Sequence, residues 1–304
     1  MATPIQVDET TLKSLGGKTI LITGASSGIG LETAELFYAL GSNVVFVGGR
    51  KQPSTKISLV DNPRTLVCNC DISSWDSILS VFKAAISKFG TIDIVCPNAG
   101  VDEPRNQYFD LKVDEAGEPQ PLDLRVVDVD FKGTAYTIAL GIHYLRKSGK
   151  GGSIIIVSSM AGYHAVPLLP NYCASKHAAV GLLRALTPRG KPENIAISLV
   201  APHITYTPGT FPGKYKPGRA EYEKIRDELK AVGIRLSSSR TCALAAAYLA
   251  EGGLEMAGKG LVVENDEIND LETAWHEARP SWFVKKSENE QASKVFSSMR
   301  FGTA

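Results

Sequence analysis

Short apolar runs alternate along this chain with longer stretches in which apolar residues recur at helical spacing. The short runs are typical of buried strands and the longer stretches of amphipathic helices. Strands are predicted at Lys18 to Thr23, Asn43 to Val47, Thr65 to Cys68, Ile92 to Cys96, Ser153 to Val157, Ile195 to Val200 and Leu261 to Val263. Helices are predicted at Ile29 to Leu40, Ser73 to Phe89, Leu122 to Arg146, Asn171 to Leu186, Ala220 to Val232 and Ser238 to Ala250.

This alternation predicts an α/β fold: a single Rossmann-like, doubly wound parallel sheet with helices on both faces. No repeat or low-complexity linker divides the chain, so we expect one domain at 18–265, preceded by an N-terminal arm at 1–17. A substrate lid is expected near 203–237. Residues 266–304 are charged and lack strong periodicity, and we expect them to form a C-terminal extension rather than a second domain.

Composition excludes several classes of protein. The chain has 304 residues, 43% of them hydrophobic, and its formal net charge of +1 gives no reason to expect nucleic acid or an anionic membrane as a partner. No apolar run approaches the roughly 20 residues that span a bilayer, and no signal peptide is evident. The odd number of cysteines, 5, indicates reduced thiols in a cytoplasmic protein. Cys68 and Cys70 lack a matching Cys or His pair elsewhere, so no metal site is expected.

A glycine-rich turn follows the first predicted strand and opens the first predicted helix. Gly24, Gly28 and Gly30 carry no side chains, so backbone N–H groups there can approach a diphosphate at the helix N-terminus. Glycines also mark ordinary turns, but this position between strand and helix favours a dinucleotide site.

A second motif carries acid–base chemistry. Tyr172 and Lys176 are four residues apart, so they share one face of a helix, and Ser159 lies thirteen residues before Tyr172. An ammonium one turn away favours the anion of a phenol, which suits the phenol to proton transfer near neutral pH. Together with a dinucleotide site, this motif predicts hydride transfer coupled to proton transfer at a carbonyl or an alcohol.

These motifs resemble those of the short-chain dehydrogenase/reductase family, over roughly Lys18 to Val263. The resemblance rests on segments that occur in the family's order and spacing. They are Thr23 to Gly30, Asp71, Asn98-Ala99-Gly100, Ser159, Tyr172 with Lys176, and Pro202 with Thr207.

The resemblance implies a role for each of these residues. Tyr172 would be the general acid in reduction, Lys176 would assist it and bond the nicotinamide ribose, and Ser159 would donate a hydrogen bond to the substrate oxygen. Asp71 would accept from the adenine amino group, and Thr207 with the Ile204 backbone would hold the carboxamide. The implied cofactor-binding residues are Gly24, Ser26, Ser27, Gly28, Ile29, Arg50, Asp71, Ile72, Asn98, Ala99, Gly100, Tyr172, Lys176, Pro202, Ile204 and Thr207. The family also implies a homodimer or homotetramer, formed through the helices predicted at Leu122 to Arg146 and Asn171 to Leu186.

Cofactor choice depends on the end of the second strand. Relatives that bind NAD carry an acid there, which bonds the ribose hydroxyls. Here Gly49 stands in that position, and Arg50 follows it, able to bind a 2′-phosphate. This favours NADP(H), although NAD(H) stays possible because Ser27, not a basic residue, precedes Gly28.

Two residues depart from the family pattern. Asp130 stands where the family has an Asn that bends the long helix, so we expect it to take part in the catalytic group with an altered proton relay. An ionised Asp can accept but not donate hydrogen bonds, and its charge would partly neutralise Lys176. His203 replaces the usual glycine after Pro202 and either touches substrate or simply fills the glycine's place.

The substrate is inferred from composition. The lid segment contains Tyr206, Phe211, Tyr215 and Tyr222, which favours an aromatic-lined pocket for a small, bulky hydrophobic alcohol or ketone of secondary-metabolite type. The charged insert Asp102 to Pro121 is expected to be a solvated rim. Alternatives are an NAD-dependent alcohol dehydrogenase and a non-redox isomerase, epimerase or cyclase on the same scaffold. A binding protein without catalysis is disfavoured by the intact Ser, Tyr and Lys set.

Overall fold

The computed structural model describes residues 4–49, 53, 55, 57–59 and 62–278. Its strands are β1 (Thr19–Thr23), β2 (Asn43–Gly48), β3 (Thr65–Asn69), β4 (Ile94–Cys96), β5 (Gly152–Val157), β6 (Ile195–Pro202), β7 (Thr205–Tyr206), β8 (Ser237–Ser238), β9 (Gly260–Glu264) and β10 (Glu267–Asp270). Its α-helices are α1 (Gly28–Ala39), α2 (Trp75–Phe89), α3 (Thr134–Lys147), α4 (Pro170–Gly190), α5 (Arg219–Lys230), α6 (Ser239–Gly252) and α7 (Leu271–Ala278).

The strands form an eight-stranded sheet in the order β10-β9-β6-β5-β4-β1-β2-β3. All neighbours are parallel except β9 and β10. The strand order reverses between β1 and β4, and in such sheets ligands bind outside the carboxyl ends of the strands at this point. The predicted doubly wound α/β fold is confirmed. No helix among the described residues is long and apolar enough to cross a membrane.

The sheet is covered on both faces by apolar helix surfaces. One core contains Leu36 and Phe37 of α1 together with the alanine-rich face of α6. The other contains Phe82 of α2, Leu140 of α3 and Leu183 of α4. The strands between them are buried on both sides, which explains why they read as continuous apolar runs rather than alternating ones.

Local signals place several helix ends close to their predicted positions. The Ser74 hydroxyl caps α2 by accepting from the Ser77 N–H, and Gly90 ends the helix in the left-handed conformation with φ of 75°. The long helix predicted from Leu122 differs in its first part. Val127–Gly133 is a π-helical segment, and regular α-helix begins only at Thr134. Wider turns of this kind often occur at functional sites, and this one contains the buried Asp130.

The C-terminal part of the sheet extends further than the sequence pattern predicts. Leu261 to Val263 was expected to be the last strand, but β10 pairs antiparallel with β9 and α7 follows it. Glu272 of α7 is fully buried and binds Arg184 of α4 through two bonds of 2.8 and 2.9 Å. Arg184 in turn lies over the ring of Trp275, 3.9 Å from its centre. Residues 267–278 are therefore attached to α4.

The aromatic residues of the predicted lid do not form an open pocket lining. Tyr206 and Tyr222 are buried in a small core of their own, against which Phe211 and Tyr215 pack. The Tyr206 ring centre lies 4.9 to 6.0 Å from those of the other three. The expectation that these side chains line a substrate pocket is therefore wrong for Tyr206 and Tyr222, which are buried, and stays a prediction for the half-buried Phe211 and Tyr215.

We predict that Glu272→Gln lowers the free energy of unfolding by about 2 kcal/mol, because Arg184 then loses its charge partner in a partly buried place. Urea unfolding monitored by circular dichroism would show a lower midpoint with an unchanged slope. Glu255→Gln, an exposed carboxylate, is the control and should leave the midpoint in place. Equal midpoints for the two variants would contradict the role given to Glu272.

Candidate active site

The glycine-rich loop is held against the end of β4 by close backbone contacts. A Cβ added at Gly30 would lie 2.4 Å from the Asn98 amide nitrogen, and one at Gly24 would lie 2.8 Å from the Ala99 Cα. The Thr23 hydroxyl accepts from the N–H groups of Asn98 and Ala99 at 2.9 and 3.0 Å. The Asn98 amide donates to the Thr23 carbonyl at 2.9 Å. Only glycine fits at these two positions.

The first turn of α1 offers free hydrogen-bond donors. Ser27 stands at the N-cap but its side chain makes no capping bond, so the first amides of the helix lack that partner. Gly28 has φ of 57°, and its missing side chain faces Thr207 after β7, at 3.3 Å from where a Cβ would be. Ser26 and Ile29 are half-buried beside it. A cradle of this shape, with backbone donors and no side chains, fits the diphosphate of a dinucleotide.

The remaining predicted cofactor residues occupy varied environments. Asp71 already accepts from the Ser73 N–H and hydroxyl, at 2.9 and 2.7 Å, so it orders the turn before α2 while its other oxygen stays available. Ile72 is buried against Gly133 and therefore contributes packing rather than an exposed surface. The Ile204 carbonyl accepts from the Ser237 N–H at 2.9 Å, which leaves its N–H as the group for a ligand. Arg50 lies outside the described residues.

Ser159 lies just beyond the end of β5 and is half-buried. Its hydroxyl accepts from the Ala161 N–H at 3.1 Å and donates to the Pro202 carbonyl at the end of β6, at 3.4 Å. The second bond is long and therefore weak, so the proton can be redirected to a substrate oxygen. Ser159 and Pro202, which were assigned to the catalytic group and to the cofactor site, are thus in direct contact.

Tyr172 and Lys176 lie one turn apart near the start of α4. The Lys176 ammonium is 5.4 Å from the centre of the Tyr172 ring. The Ser158 hydroxyl donates to the Lys176 carbonyl at 3.0 Å, and a Cβ on Gly162 would lie 2.7 Å from that same oxygen. These contacts hold the loop of Ser159 directly against the helix, so the three predicted catalytic side chains belong to one site.

Asp130 joins this group through an ion pair. Its Oδ2 is 3.1 Å from the Lys176 Nζ, with the two side chains 0% and 6% exposed. The other carboxylate oxygen accepts from the Val101 N–H at 2.8 Å. A Cβ on Gly100 would come within 2.8 Å of Oδ2, so the glycine makes room for the carboxylate.

Burial and the neighbouring carboxylate shift the pKa of Lys176 in opposite directions. Burial by itself would lower the pKa of Lys176, but the adjacent Asp130 carboxylate overrides it, and the pKa of Lys176 is raised above its usual value. Lys176 is therefore charged throughout the neutral range.

His203 lies beside Glu264 and His164. Its Nδ1 is 3.5 Å from a carboxylate oxygen of Glu264, and its ring faces that of His164 at 5.9 Å between centres. Burial lowers the pKa of His203, only partly opposed by Glu264, so the imidazole is neutral at physiological pH. The predicted contact of His203 with substrate stays a prediction.

Glu103 belongs to the site but was placed by the sequence in a solvated rim. It is 5% exposed, and its carboxylate accepts from the Tyr172 N–H at 2.7 Å. The expectation of a solvated insert is wrong for this residue, whereas Asp102, Arg105, Asp110, Asp114, Glu115 and Glu118 are exposed. The one feature of the sequence that connects Glu103 with the site is its position three residues after the Asn98-Ala99-Gly100 turn.

Comparisons with known proteins agree with this geometry. The family model for short chain dehydrogenases matches residues 18–212, and the chain belongs to the short-chain dehydrogenase/reductase family. It is similar to the short-chain dehydrogenase/reductase prx4 of Penicillium rubens, with 33% identity over 92% of this chain and 84% of that one. Its identity to the short-chain dehydrogenase/reductase ascJ of Acremonium egyptiacum is 34%, over 81% and 78% of the two chains.

A solved structure is similar at the level of the fold and the sequence. The 3-ketoacyl-(acyl-carrier-protein) reductase from Brucella melitensis, in complex with NADH, superposes with a TM-score of 0.68 and 28% identity. The match covers 83% of this chain and 98% of that one. The protein is accordingly an oxidoreductase of a family that uses NAD(P)(H).

We predict that Asp130→Asn lowers the free energy of unfolding at pH 7 by about 3 kcal/mol, because a buried ammonium loses the one carboxylate that pairs with it among the described residues. The deficit should shrink as pH rises towards the ordinary pKa of a lysine, about 10.4. The reason is linkage: the stability that the raised pKa of Lys176 gives the native protein is constant below about 10.4 and is lost only as the pH rises through the raised native pKa, so the change below about 10.4 comes from the variant. In the variant, burial depresses the pKa, so protonation opposes folding.

Urea unfolding between pH 6 and pH 10, in steps of one pH unit, measures this difference. Asp128→Asn is the matched control, since Asp128 lies in the same π-helical segment but pairs with Lys132 at the surface. A deficit that is independent of pH in Asp130→Asn would contradict the ion-pair account.

Proposed function

We propose that the protein is an NADP(H)-dependent oxidoreductase that transfers hydride between the nicotinamide and a carbonyl or secondary alcohol of a bulky hydrophobic substrate. The observation that carries the proposal is the grouping of Ser159, Tyr172 and Lys176 at the carboxyl edge of the sheet. A glycine loop with free backbone donors lies at the same edge. A cation-assisted phenol beside a dinucleotide cradle suits proton transfer to an oxygen that gains or loses a hydride.

The proposed cofactor residues divide by position. The amides of Ser26 to Ile29 would hold the diphosphate, with Gly24 allowing the turn, and the Asn98-Ala99-Gly100 segment would flank the adenosine side. Thr207 and the Ile204 N–H would hold the nicotinamide end. The bound cofactor supplies the hydride; the protein supplies orientation and the proton.

Tyr172 would donate its phenolic proton to the substrate oxygen during reduction and recover it during oxidation. The Lys176 ammonium favours negative charge on the phenol oxygen in between. Ser159 would donate a second hydrogen bond to the same substrate oxygen, where negative charge develops in the transition state. Both donors are held by the contacts of the Ser159 loop with α4.

Asp130 gives this site a feature of its own. The carboxylate keeps Lys176 protonated but also cancels part of its positive charge, so the phenolate is favoured less than it would be beside an unpaired lysine. We expect the proton relay to operate with a permanently charged Lys176.

Support for a hydrophobic substrate comes from the entrance of the site rather than from the lid aromatics. Leu168 and Tyr108 are 49% and 51% exposed. Both lie next to the start of α4: the Tyr108 hydroxyl donates to Asn171, and the Leu168 carbonyl accepts from the Asn106 N–H. Exposed apolar side chains beside a reactive site suit an apolar ligand.

Support for NADP(H) comes from the end of β2. Gly49 provides no carboxylate for ribose hydroxyls, and a Cβ built on it meets no atom within 4 Å, so there is room at that position. Arg50 follows in the sequence as a partner for a 2′-phosphate. Assembly through α3 and α4 stays a prediction from the family resemblance, and a cytoplasmic location stays a prediction from the odd number of cysteines.

We predict that Tyr172→Phe lowers kcat by about 100-fold or more while leaving NADPH affinity nearly unchanged, because only the proton donor is removed. Reduction of bulky ketones such as phenanthrenequinone and β-tetralone, followed by loss of NADPH absorbance, measures kcat. Fluorescence titration measures the affinity. Tyr248→Phe on α6 is the matched control and should retain full turnover. Retained turnover in Tyr172→Phe would refute the general-acid role.

We predict that Arg50→Ala weakens NADPH binding about tenfold or more, because a charge-assisted phosphate contact is lost, and leaves NADH binding unchanged. Titration of both cofactors into the native protein and the variant measures this. Lys83→Ala, an exposed cation on α2, is the control. Tighter binding of NADH than NADPH, indifferent to Arg50, would replace the NADP(H) assignment with an NAD-linked alcohol oxidation.

A further inference from the structure

Glu103 is a buried carboxylate that the proposed chemistry does not use. It is 5% exposed, and no ion pair in the described part of the chain includes it. A buried charge without a counterion requires several hydrogen bonds to compensate for lost hydration. Its neighbours must supply them.

Those bonds come from the start of the catalytic helix. One oxygen of Glu103 accepts from the Tyr172 N–H at 2.7 Å, and the other accepts from the Asn171 side-chain amide at 2.9 Å. The amide of Gln107 is 3.4 Å from that second oxygen. The carboxylate thus binds the backbone of the proposed general acid directly.

This contact replaces a cap that α4 does not have. Leu169, at the N-cap, has no side-chain acceptor, and Pro170 has no N–H to satisfy. In most helices the N-cap side chain accepts from the third helical residue, which here is Tyr172. Glu103 takes over that bond from a distant part of the chain, and its negative charge lies at the positive end of the helix dipole.

The second turn of α4 is held independently. Lys176 is fixed by Asp130 and by the Ser158 hydroxyl on its carbonyl. The first turn, which carries Tyr172, receives its side-chain anchor from the insert. The direction of the Tyr172 phenol relative to Lys176 and Ser159 therefore depends on Glu103.

The rest of the insert keeps Glu103 in place. Gln107 exchanges two bonds with the Asp123 backbone, at 2.7 and 3.2 Å, which closes the base of the insert. The Tyr108 hydroxyl donates to the Asn171 side chain at 2.9 Å and orients the amide that bonds Glu103. The insert is thus held against the start of α4 by polar contacts to Asn171 and to the Tyr172 N–H.

We propose that Glu103 is a positioning residue for the reaction: its carboxylate fixes the first turn of α4 and so orients the Tyr172 hydroxyl for proton transfer. This inference rests on the proposed role of Tyr172. Glu103 itself does not touch the reacting atoms.

The test compares Glu103→Ala, Glu103→Gln and Glu103→Asp in the ketone-reduction assay with NADPH. We expect Glu103→Ala to lower kcat by about 10- to 100-fold, since small misplacements of a reacting group have effects of that size, with KM and NADPH affinity unchanged. Glu103→Gln keeps the length and the acceptor for the Tyr172 N–H but turns its NH2 towards the Asn171 and Gln107 amides, so it should keep clearly more of kcat than Glu103→Ala without reaching the native value. Glu103→Asp is too short to reach and should stay impaired. Glu115→Gln, an exposed acid of the same insert, is the control.

Unchanged kcat in a folded Glu103→Ala would overturn the proposal, as would a loss of NADPH affinity equal to the loss of kcat. Should Glu103→Ala not fold, the Gln and Asp variants decide, and equal kcat values for those two would overturn it. Tyr172→Phe in the same assay separates the two hypotheses. If it is inactive while Glu103→Ala is fully active, only the role of Glu103 fails; if it is active, the role of Tyr172 fails first.

Discussion

The whole site depends on one requirement: the ammonium of Lys176 must stay charged although it is buried away from water. Lys176 is almost completely buried, and an isolated cation there would lose its proton or destabilise the fold. Asp130 prevents this because its carboxylate pairs with the ammonium at 3.1 Å. The neighbouring residues hold that carboxylate in place. The π-helical segment contains the carboxylate, Gly100 leaves space for it, and the Val101 N–H bonds its second oxygen. An amide at the same position would accept the Val101 bond but would place no negative charge opposite the ammonium.

One short segment after β4 connects the three parts of the site. Asn98 bonds Thr23 and packs against the glycine loop, Val101 bonds Asp130, and Glu103 bonds Tyr172. The predicted cofactor cradle, the partner of Lys176 and the start of the Tyr172 helix are therefore all fixed to one backbone segment of six residues, 98–103. A movement of this segment at one of these residues would displace the other two, so the segment keeps the three parts of the site in a fixed arrangement. Precise placement of reacting groups requires support of this kind.

The sequence predicts well those features that are decided locally. The strands are buried on both faces and read as apolar runs, Gly90 ends α2 because it adopts positive φ, and the spacing of Tyr172 and Lys176 puts them on one helical face. Features decided by distant contacts were missed. Glu103 sits among acids that are exposed, and its burial arises only when residues 69 positions apart meet. The strand β10 is short, and its existence depends on pairing with β9 rather than on any pattern of its own.

The lid illustrates why composition is a poor guide to pocket lining. Its aromatic residues form a closed core, and that core is tied to the turn between β9 and β10 through Asp266. This carboxylate accepts from the Ser238 N–H and the Thr241 hydroxyl, each at 2.7 Å, and from the Tyr222 hydroxyl. Burial alone would raise the pKa of Asp266, but these hydrogen bonds outweigh it and lower the pKa, so the anchor stays ionised at neutral pH. The aromatic side chains of the predicted lid are joined to one another and to a charged anchor, so they would move together rather than one at a time. We expect substrate selection to depend instead on the exposed Leu168 and Tyr108 beside the start of α4.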